Sequence, residues 1–182
     1  MTEQELLVDC LRRLEGSGID YMLVGSMAGN YWGVPRSTHG IDFVIEYGAE
    51  QVSDIVAAFE DDFFIQEISV QSGLNPPHQF NALDNRSALK VDFFRVAGDE
   101  YEFERFRRRK RINLFDQSAW IATPEDVLLH KLRWHKMSPT NRQLTDARGI
   151  HLVSGEELDR DYMEYWAEQI RVGDLLRSVL DD

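Results

Sequence analysis

The sequence has almost no cysteine and no long apolar run. Its single cysteine, Cys10, cannot form an internal disulfide or a cysteine-rich zinc site. No segment approaches the roughly 20 consecutive apolar residues that a membrane-spanning helix needs. Residues 1–5 include two glutamates and no basic residue, whereas a secretory signal peptide begins with basic residues. Together these absences predict a cytoplasmic protein that does not interact with membranes.

Basic residues are also scarce, with 20 Lys and Arg against 32 Asp and Glu, so the formal net charge is −12. A surface of this sign repels nucleic acid at long range, because contacts to phosphate supply most non-specific affinity. One basic segment is an exception, and it contains Arg105, Arg107, Arg108, Arg109, Lys110 and Arg111. Two interpretations of it stay open. It forms a solvated face balanced by Glu100, Glu102 and Glu104, or it contacts the phosphates of an RNA.

The spacing of apolar residues predicts an α/β fold with a mixed sheet in the first part of the chain. Short apolar runs predict strands at residues 21–24, 41–45, 79–83 and 89–96. Periodic apolar positions predict helices at residues 2–15 and 51–59, and a short helix after residue 25. Residues 63–70 fit either a strand or a helix.

From Thr123 onward the pattern becomes helical. Thr123 is typical of a helix N-cap, and Pro124 suits the first helical position. Further helices are predicted at residues 127–136, 141–153, 159–170 and 172–180. We therefore expect a core at residues 1–122 and a helical C-terminal part at 123–182, packed together as one globular unit.

A Gly-Ser pair and two aspartates stand at positions where a simple core would not need them. Gly25 and Ser26 follow a predicted strand and open a helix, where backbone N–H groups and a hydroxyl can hold an anion, although a plain turn is the alternative. Asp42 and Asp92 each lie among apolar residues in a predicted strand. A carboxylate in such a place is costly unless it is paired or binds a cation. Two of them on neighbouring strands can share a metal, and the alternative is ion pairing with Arg36 or Lys131.

The order of these residues resembles the nucleotidyltransferase superfamily, in particular its minimal and abortive-infection-type members, some of which are toxins of toxin–antitoxin pairs. The superfamily signature is a Gly-Ser or Gly-Gly turn, an Asp-x-Asp on the next strand and a third acid on a later strand. Residues 24–28 and 33–44 carry the first two parts, and the likeness covers roughly residues 20–96. It extends through residues 124–126 to Lys131 and Asp146.

The resemblance implies a nucleotidyltransferase-fold core and metal-dependent transfer of a nucleotidyl group from an NTP to a hydroxyl of RNA, protein or a small molecule. Implied partners are the NTP, tRNA or another RNA, and a cognate antitoxin protein. The implied metal ligands, for Mg²⁺ or Mn²⁺, are Asp42 and Asp92. The implied catalytic residues are Asp42, Asp92, Lys131 and Asp146, and the implied nucleotide contacts are Gly25, Ser26, Arg36 and Thr38.

Alternatives remain for two of these residues. Lys131 is otherwise a surface lysine, and Asp146 is otherwise in a helix-face salt bridge with Arg142 or Arg148.

One position departs from the signature. Gly40 stands where the superfamily has the first acid of Asp-x-Asp, so a site for two divalent cations loses a bridging ligand. His39 is adjacent, but in a strand it would point to the opposite face. Two hypotheses follow. The chain is a nucleotidyltransferase with impaired activity, or it is a degenerate, non-catalytic protein that binds nucleotides or a partner.

Overall fold

The computed structural model describes residues 1–182 and alternates helices and strands up to residue 121. The strands are β1 (Asp20–Val24), β2 (Ile41–Glu46), β3 (Phe63–Phe64), β4 (Gln79–Asp84), β5 (Lys90–Arg95), β6 (Lys110–Leu114) and β7 (Gln117–Ile121). The helices are α1 (Glu3–Ser17), α2 (Gly25–Trp32), α3 (Val52–Phe59), α4 (Glu67–Ser72), α5 (Glu100–Arg107), α6 (Pro124–Met137), α7 (Asn141–Ser154), α8 (Arg160–Gln169) and α9 (Gly173–Leu180). None of the helices is long and apolar enough to cross a membrane.

All seven strands form one mixed sheet in the order β3-β4-β5-β2-β1-β7-β6. The central strands are β5, β2 and β1, with β2 parallel to β5 and antiparallel to β1. In the β2–β5 register Asp42 lies directly opposite Asp92. The mixed α/β fold expected from the sequence is therefore confirmed.

Aromatic packing on one face of the sheet fixes what the other face carries. Phe43 of β2 stacks on Phe93 of β5 with ring centroids 5.9 Å apart, and Phe59 of α3 meets Phe93 at 5.3 Å. Successive side chains of a strand point to opposite faces, so burying Phe43 and Phe93 turns Asp42 and Asp92 to the other side. A one-residue slip of either strand would bury a carboxylate, and this makes the register unambiguous.

The C-terminal helices are joined to α2 at the sheet's other face. The indole N–H of Trp32 donates to the carbonyl of Ala122 at 2.8 Å, and Ser154 of α7 donates to the carbonyl of Trp32 at 2.5 Å. Thr123 caps α6 by accepting from the N–H of Asp126 at 3.2 Å, as its sequence position predicts. Helix α6 and helix α7 therefore have fixed positions relative to α2.

The expected elements agree with the structure in type and differ by a few residues at their ends. The ambiguous residues 63–70 divide into the short strand β3 and the start of α4. The sequence analysis missed α5, β6 and β7, which occupy residues 100–121. Their charged and mixed sequences hide the hairpin of β6 and β7, whose place in the sheet depends on the pairing of Leu23 in β1 with Ile121 in β7.

The basic segment is distributed over α5 and β6 and is largely engaged inside the protein. Arg105 pairs with Glu102, one of the expected acids, at 2.8 Å, but it is only 4% exposed and so does not lie on a solvated face. Arg108 stacks on the ring of Tyr162 with its guanidinium carbon 3.5 Å from the centroid. Arg111 pairs with Glu15 at 2.7 Å. Most of these cations therefore pack against acids or aromatic rings.

Two neighbouring arginines test this structural role. The guanidinium of Arg108 lies 3.6 Å from the fully buried carboxylate of Asp126, whereas the side chain of Arg107 is 76% exposed. Arg108→Gln leaves Asp126 without a cation, so we expect the free energy of unfolding to fall by about 1–3 kcal/mol. Arg107→Gln is the matched control and should change it by less than about 0.5 kcal/mol. Urea unfolding measures both, and equal effects would contradict the packing role of Arg108.

Candidate active site

A cleft of about 500 Å³ opens on the polar face of the sheet, a volume typical of small-ligand sites. Its floor is formed by the ends of β1 and β2, and its wall by α5 and α6. Gly25, Ser26, Asp42 and Lys131 all line it. Four residues that the sequence analysis selected, separated by up to about a hundred positions, therefore meet in one cleft.

Asp42 is an isolated carboxylate at the floor of the cleft. Burial, and then the charge of Asp92 beside it, raise the pKa of Asp42 from its ordinary value of 3.8 to about 6. No hydrogen bond or ion pair forms to its side chain, so the alternative of a structural ion pair is not found for Asp42. Asp92 is 27% exposed and does form an ion pair, with Lys90 at 3.2 Å. The carboxylate of Asp42 is therefore the one without a partner, and a divalent cation would stabilise it.

The turn before α2 can approach Asp42 only because it contains glycine. Gly25 has φ +66, a left-handed conformation that other residues rarely adopt. A Cβ atom on Gly25 would lie 2.3 Å from Oδ2 of Asp42, well inside van der Waals contact. The requirement for glycine at residue 25 thus comes from both the backbone and the carboxylate next to it.

A network of charges lies beside this turn and joins α7, α6 and the loop before β2. Asp146 accepts two hydrogen bonds of 2.8 Å from Arg36 and one of 3.0 Å from Lys131. Burial raises the pKa of Asp146, but the bonds from Arg36 and the charge of Lys131 outweigh it and lower that pKa below its ordinary value. Arg36 also donates to the hydroxyl of Ser26 at 3.0 Å.

The alternatives for Lys131 and Asp146 are both wrong. The side chain of Lys131 is 8% exposed, so it is not a surface lysine. Asp146 pairs with Arg36 and Lys131 on other elements, while Arg148 of its own helix pairs with Asp182. Tertiary contacts that no helical spacing could reveal decide both pairings.

Thr38 is not brought to the cleft. Its hydroxyl accepts a long hydrogen bond of 3.4 Å from the N–H of Gly40, and the residue does not line the cavity. Asp92, Arg36 and Asp146 do not line it either, but each lies next to a residue that does.

Gly40 has free space next to the carboxylate pair. A Cβ atom at this residue would lie 3.8 Å from Oδ2 of Asp42, with no other heavy atom within 4 Å among the atoms that are not its chain neighbours. An acidic side chain would therefore fit and would point toward Asp42. As the chain stands, no group of three or more His, Cys, Asp and Glu side chains is placed to hold a metal ion. Asp42 and Asp92 are thus two neighbouring carboxylates without a third acid.

Several cleft residues were missed from the sequence, and three of them come from one face of α6. Val127, His130 and Trp134 line the cavity together with Lys131. Their spacing of three and four residues places them on one side of a helix, and this signal was available in the sequence. Burial, and then the charge of Arg105, lower the pKa of His130 to about 4, so its imidazole is neutral at physiological pH.

No protein-family model and no curated protein matches this sequence. Solved structures do match. An antigenic nucleotidyltransferase-like protein from Paracoccidioides brasiliensis is 16% identical, with 98% of this chain and 92% of that chain covered and a TM-score of 0.58. ANT(2")-Ia in complex with adenylyl-2"-tobramycin is 12% identical over 94% of this chain and 98% of that chain, with a TM-score of 0.61.

A third similar structure is the lincosamide antibiotic adenylyltransferase LnuA in its lincomycin-bound form. It is 14% identical, covers 84% of this chain and 98% of that chain, and has a TM-score of 0.57. At these identities the similarity shows the fold, and the fold is that of nucleotidyltransferases. The narrower resemblance to abortive-infection-type members stays a prediction.

The raised pKa of Asp42 gives a test on stability. The folded state keeps a proton on Asp42 up to pH about 6, whereas the unfolded state loses it near 3.8, so ionised Asp42 destabilises the fold above pH 6. Without divalent cations, we expect Asp42→Asn to raise the free energy of unfolding by about 1–3 kcal/mol at pH 7.5 and by much less at pH 4.5. Urea unfolding in a chelator measures this. The control is Asp54→Asn, which changes an exposed carboxylate of α3. A loss of stability in Asp42→Asn at pH 7.5 would show that Asp42 is already paired.

Proposed function

We propose that this protein is a metal-dependent nucleotidyltransferase that transfers a nucleotidyl group from an NTP to a hydroxyl group. One observation carries the proposal: Asp42, a carboxylate with no hydrogen-bond or ion-pair partner, lies beside Asp92, a glycine turn and the buried cation of Lys131. A nucleoside triphosphate with its divalent cation needs both kinds of charge, carboxylates for the metal and cations for the phosphates. The nucleotidyltransferase fold of the chain supports the same conclusion.

Asp42 and Asp92 would hold Mg²⁺ or Mn²⁺, which neutralises phosphate charge and makes the acceptor hydroxyl a better nucleophile when bound. The hydroxyl of Ser26 and the N–H groups at the Gly25 turn are placed to bind phosphate oxygens. Lys131 and Arg36 supply positive charge where pyrophosphate would leave. Asp146 holds both cations in place, and both of its oxygens already accept from them, so its role is positioning.

The hydroxyl oxygen of the acceptor attacks the α-phosphorus of the NTP, and the bond from that phosphorus to the pyrophosphate oxygen breaks. A phosphoester bond to the acceptor thus replaces one phosphoanhydride bond, pyrophosphate leaves as the anion, and the hydroxyl proton is released to water. Gly40 weakens this chemistry, because two carboxylates hold a cation less well than three. A non-catalytic nucleotide-binding protein is therefore the second candidate, and the absence of a three-residue metal cluster favours it.

We infer that the acceptor is a small molecule rather than RNA or protein. The net charge of −12 repels RNA, and the basic segment is largely occupied by internal partners. Two similar structures contain a tobramycin adduct and lincomycin, which are small molecules. A cytoplasmic location follows from the need for NTP and Mg²⁺. A tRNA acceptor and an antitoxin partner are hypotheses that rest only on the sequence resemblance.

Restoring the missing acid tests the proposal. In Gly40→Asp the new carboxylate would face Asp42 in the free space beside it. We expect the rate of NTP consumption in Mg²⁺ to rise on the order of a hundredfold, equivalent to about 2.7 kcal/mol of barrier. The measurement is pyrophosphate release with each NTP and a panel of aminoglycosides, lincosamides and tRNA.

Gly40→Asn is the matched control, since it adds the same volume without the charge and should give no such rise. Adding Asp42→Asn to Gly40→Asp should remove the restored activity. If the chain as it stands turns over as fast as Gly40→Asp, the metal assignment is wrong. If the original chain and Gly40→Asp both bind Mg²⁺ and NTP but neither turns over, the non-catalytic candidate is correct.

A further inference from the structure

Helices α6 and α7 form an antiparallel pair that carries more than the cation network. The ion pair between Lys131 and Asp146 joins the two helices at 3.0 Å. Trp134 follows Lys131 by three residues on α6, and Gln143 precedes Asp146 by three residues on α7. Because the two helices run in opposite directions, Trp134 and Gln143 are both displaced from the ion pair in the same direction, by about 4.5 Å along the helix axes. Trp134 and Gln143 therefore lie at one level, next to the phosphate-binding cations.

These two side chains have unused binding capacity at the cleft. Both line it, and Trp134 is 43% exposed, the most accessible of the four tryptophans in the chain. The ring of His130 meets the indole of Trp134 edge-on at 6.2 Å and holds it at the wall. The carboxamide oxygen of Gln143 is buried and has no hydrogen-bond partner. An open aromatic face and an unpaired amide at one level of a cleft suit a flat, polar ring.

We propose that Trp134 and Gln143 form the subsite for the nucleobase of the NTP. The indole stacks on the face of the base, and the carboxamide, which both donates and accepts, pairs with its edge. A single nucleotide can place its phosphates at Lys131 and Arg36 and its base at Trp134, three residues further along α6. This inference rests on the proposed function, because it assumes that the cations hold phosphate.

The test separates binding of the base from binding of the phosphates. ATP, GTP, CTP, UTP and inorganic tripolyphosphate are titrated in Mg²⁺ by calorimetry and by tryptophan fluorescence. The variants are Trp134→Ala, Trp134→Phe, Gln143→Leu and Lys131→Ala. Met137→Ala is the control, since Met137 is 69% exposed on the same helix but does not line the cleft.

Trp134→Ala should weaken NTP binding about tenfold or more and leave tripolyphosphate binding unchanged, because only the base stacks on the indole. Trp134→Phe should keep most of the affinity but lose the fluorescence quenching that NTP causes. Gln143→Leu should change the order of preference among the four NTPs. Lys131→Ala should weaken both kinds of ligand.

Three results would overturn the inference. The first is that Trp134→Ala binds NTPs as tightly as the original chain. The second is that Trp134→Ala loses affinity for tripolyphosphate as much as for NTPs, which would indicate a general structural effect. The third is an equal loss of affinity for all four NTPs in Gln143→Leu, which would remove the amide from base recognition.

If neither tripolyphosphate nor any NTP binds to the original chain, the proposed function itself fails, and this outcome is distinct from the three above.

Discussion

The pairing of β2 with β5 forces two like charges together, and the rest of the site depends on it. Asp42 and Asp92 face each other across adjacent parallel strands, and burial, followed by the charge of Asp92, raises the pKa of Asp42 to about 6. The fold accepts this cost because the same register buries the stacked rings of Phe43 and Phe93 on the opposite face. Hydrophobic burial thereby keeps in place an electrostatically unfavourable pair, which is a common feature of sites built for cations.

Lys131 lies near Asp42 but forms no ion pair with it. Lys131 and Arg36 come from α6 and from the loop before β2, and both are bound by Asp146 of α7. Asp42 therefore keeps a carboxylate without a partner, while Asp92 pairs with Lys90. Under the proposed function the carboxylates would hold the metal and the cations would bind the polyphosphate.

Gly40 is the position at which the chain departs from the nucleotidyltransferase signature. The space beside Asp42 is free, so no steric reason excludes an acid there. Gly25 adopts a left-handed conformation next to Asp42, where a Cβ atom would clash with the carboxylate. The proposal of slow transfer and the second candidate, nucleotide binding without transfer, both rest on this combination.

The sequence by itself determined the α/β class, most helices and strands, and the short list Gly25, Ser26, Asp42 and Asp92, since these depend on local periodicity and on charges within apolar runs. It did not determine the β6–β7 hairpin, whose place in the sheet depends on one distant strand pairing. It also left open the partners of Lys131 and Asp146 and the position of Trp134 at the cleft. Those were decided by the tertiary structure, because ion pairs and cavities form between segments that are far apart in the chain and have no local signature.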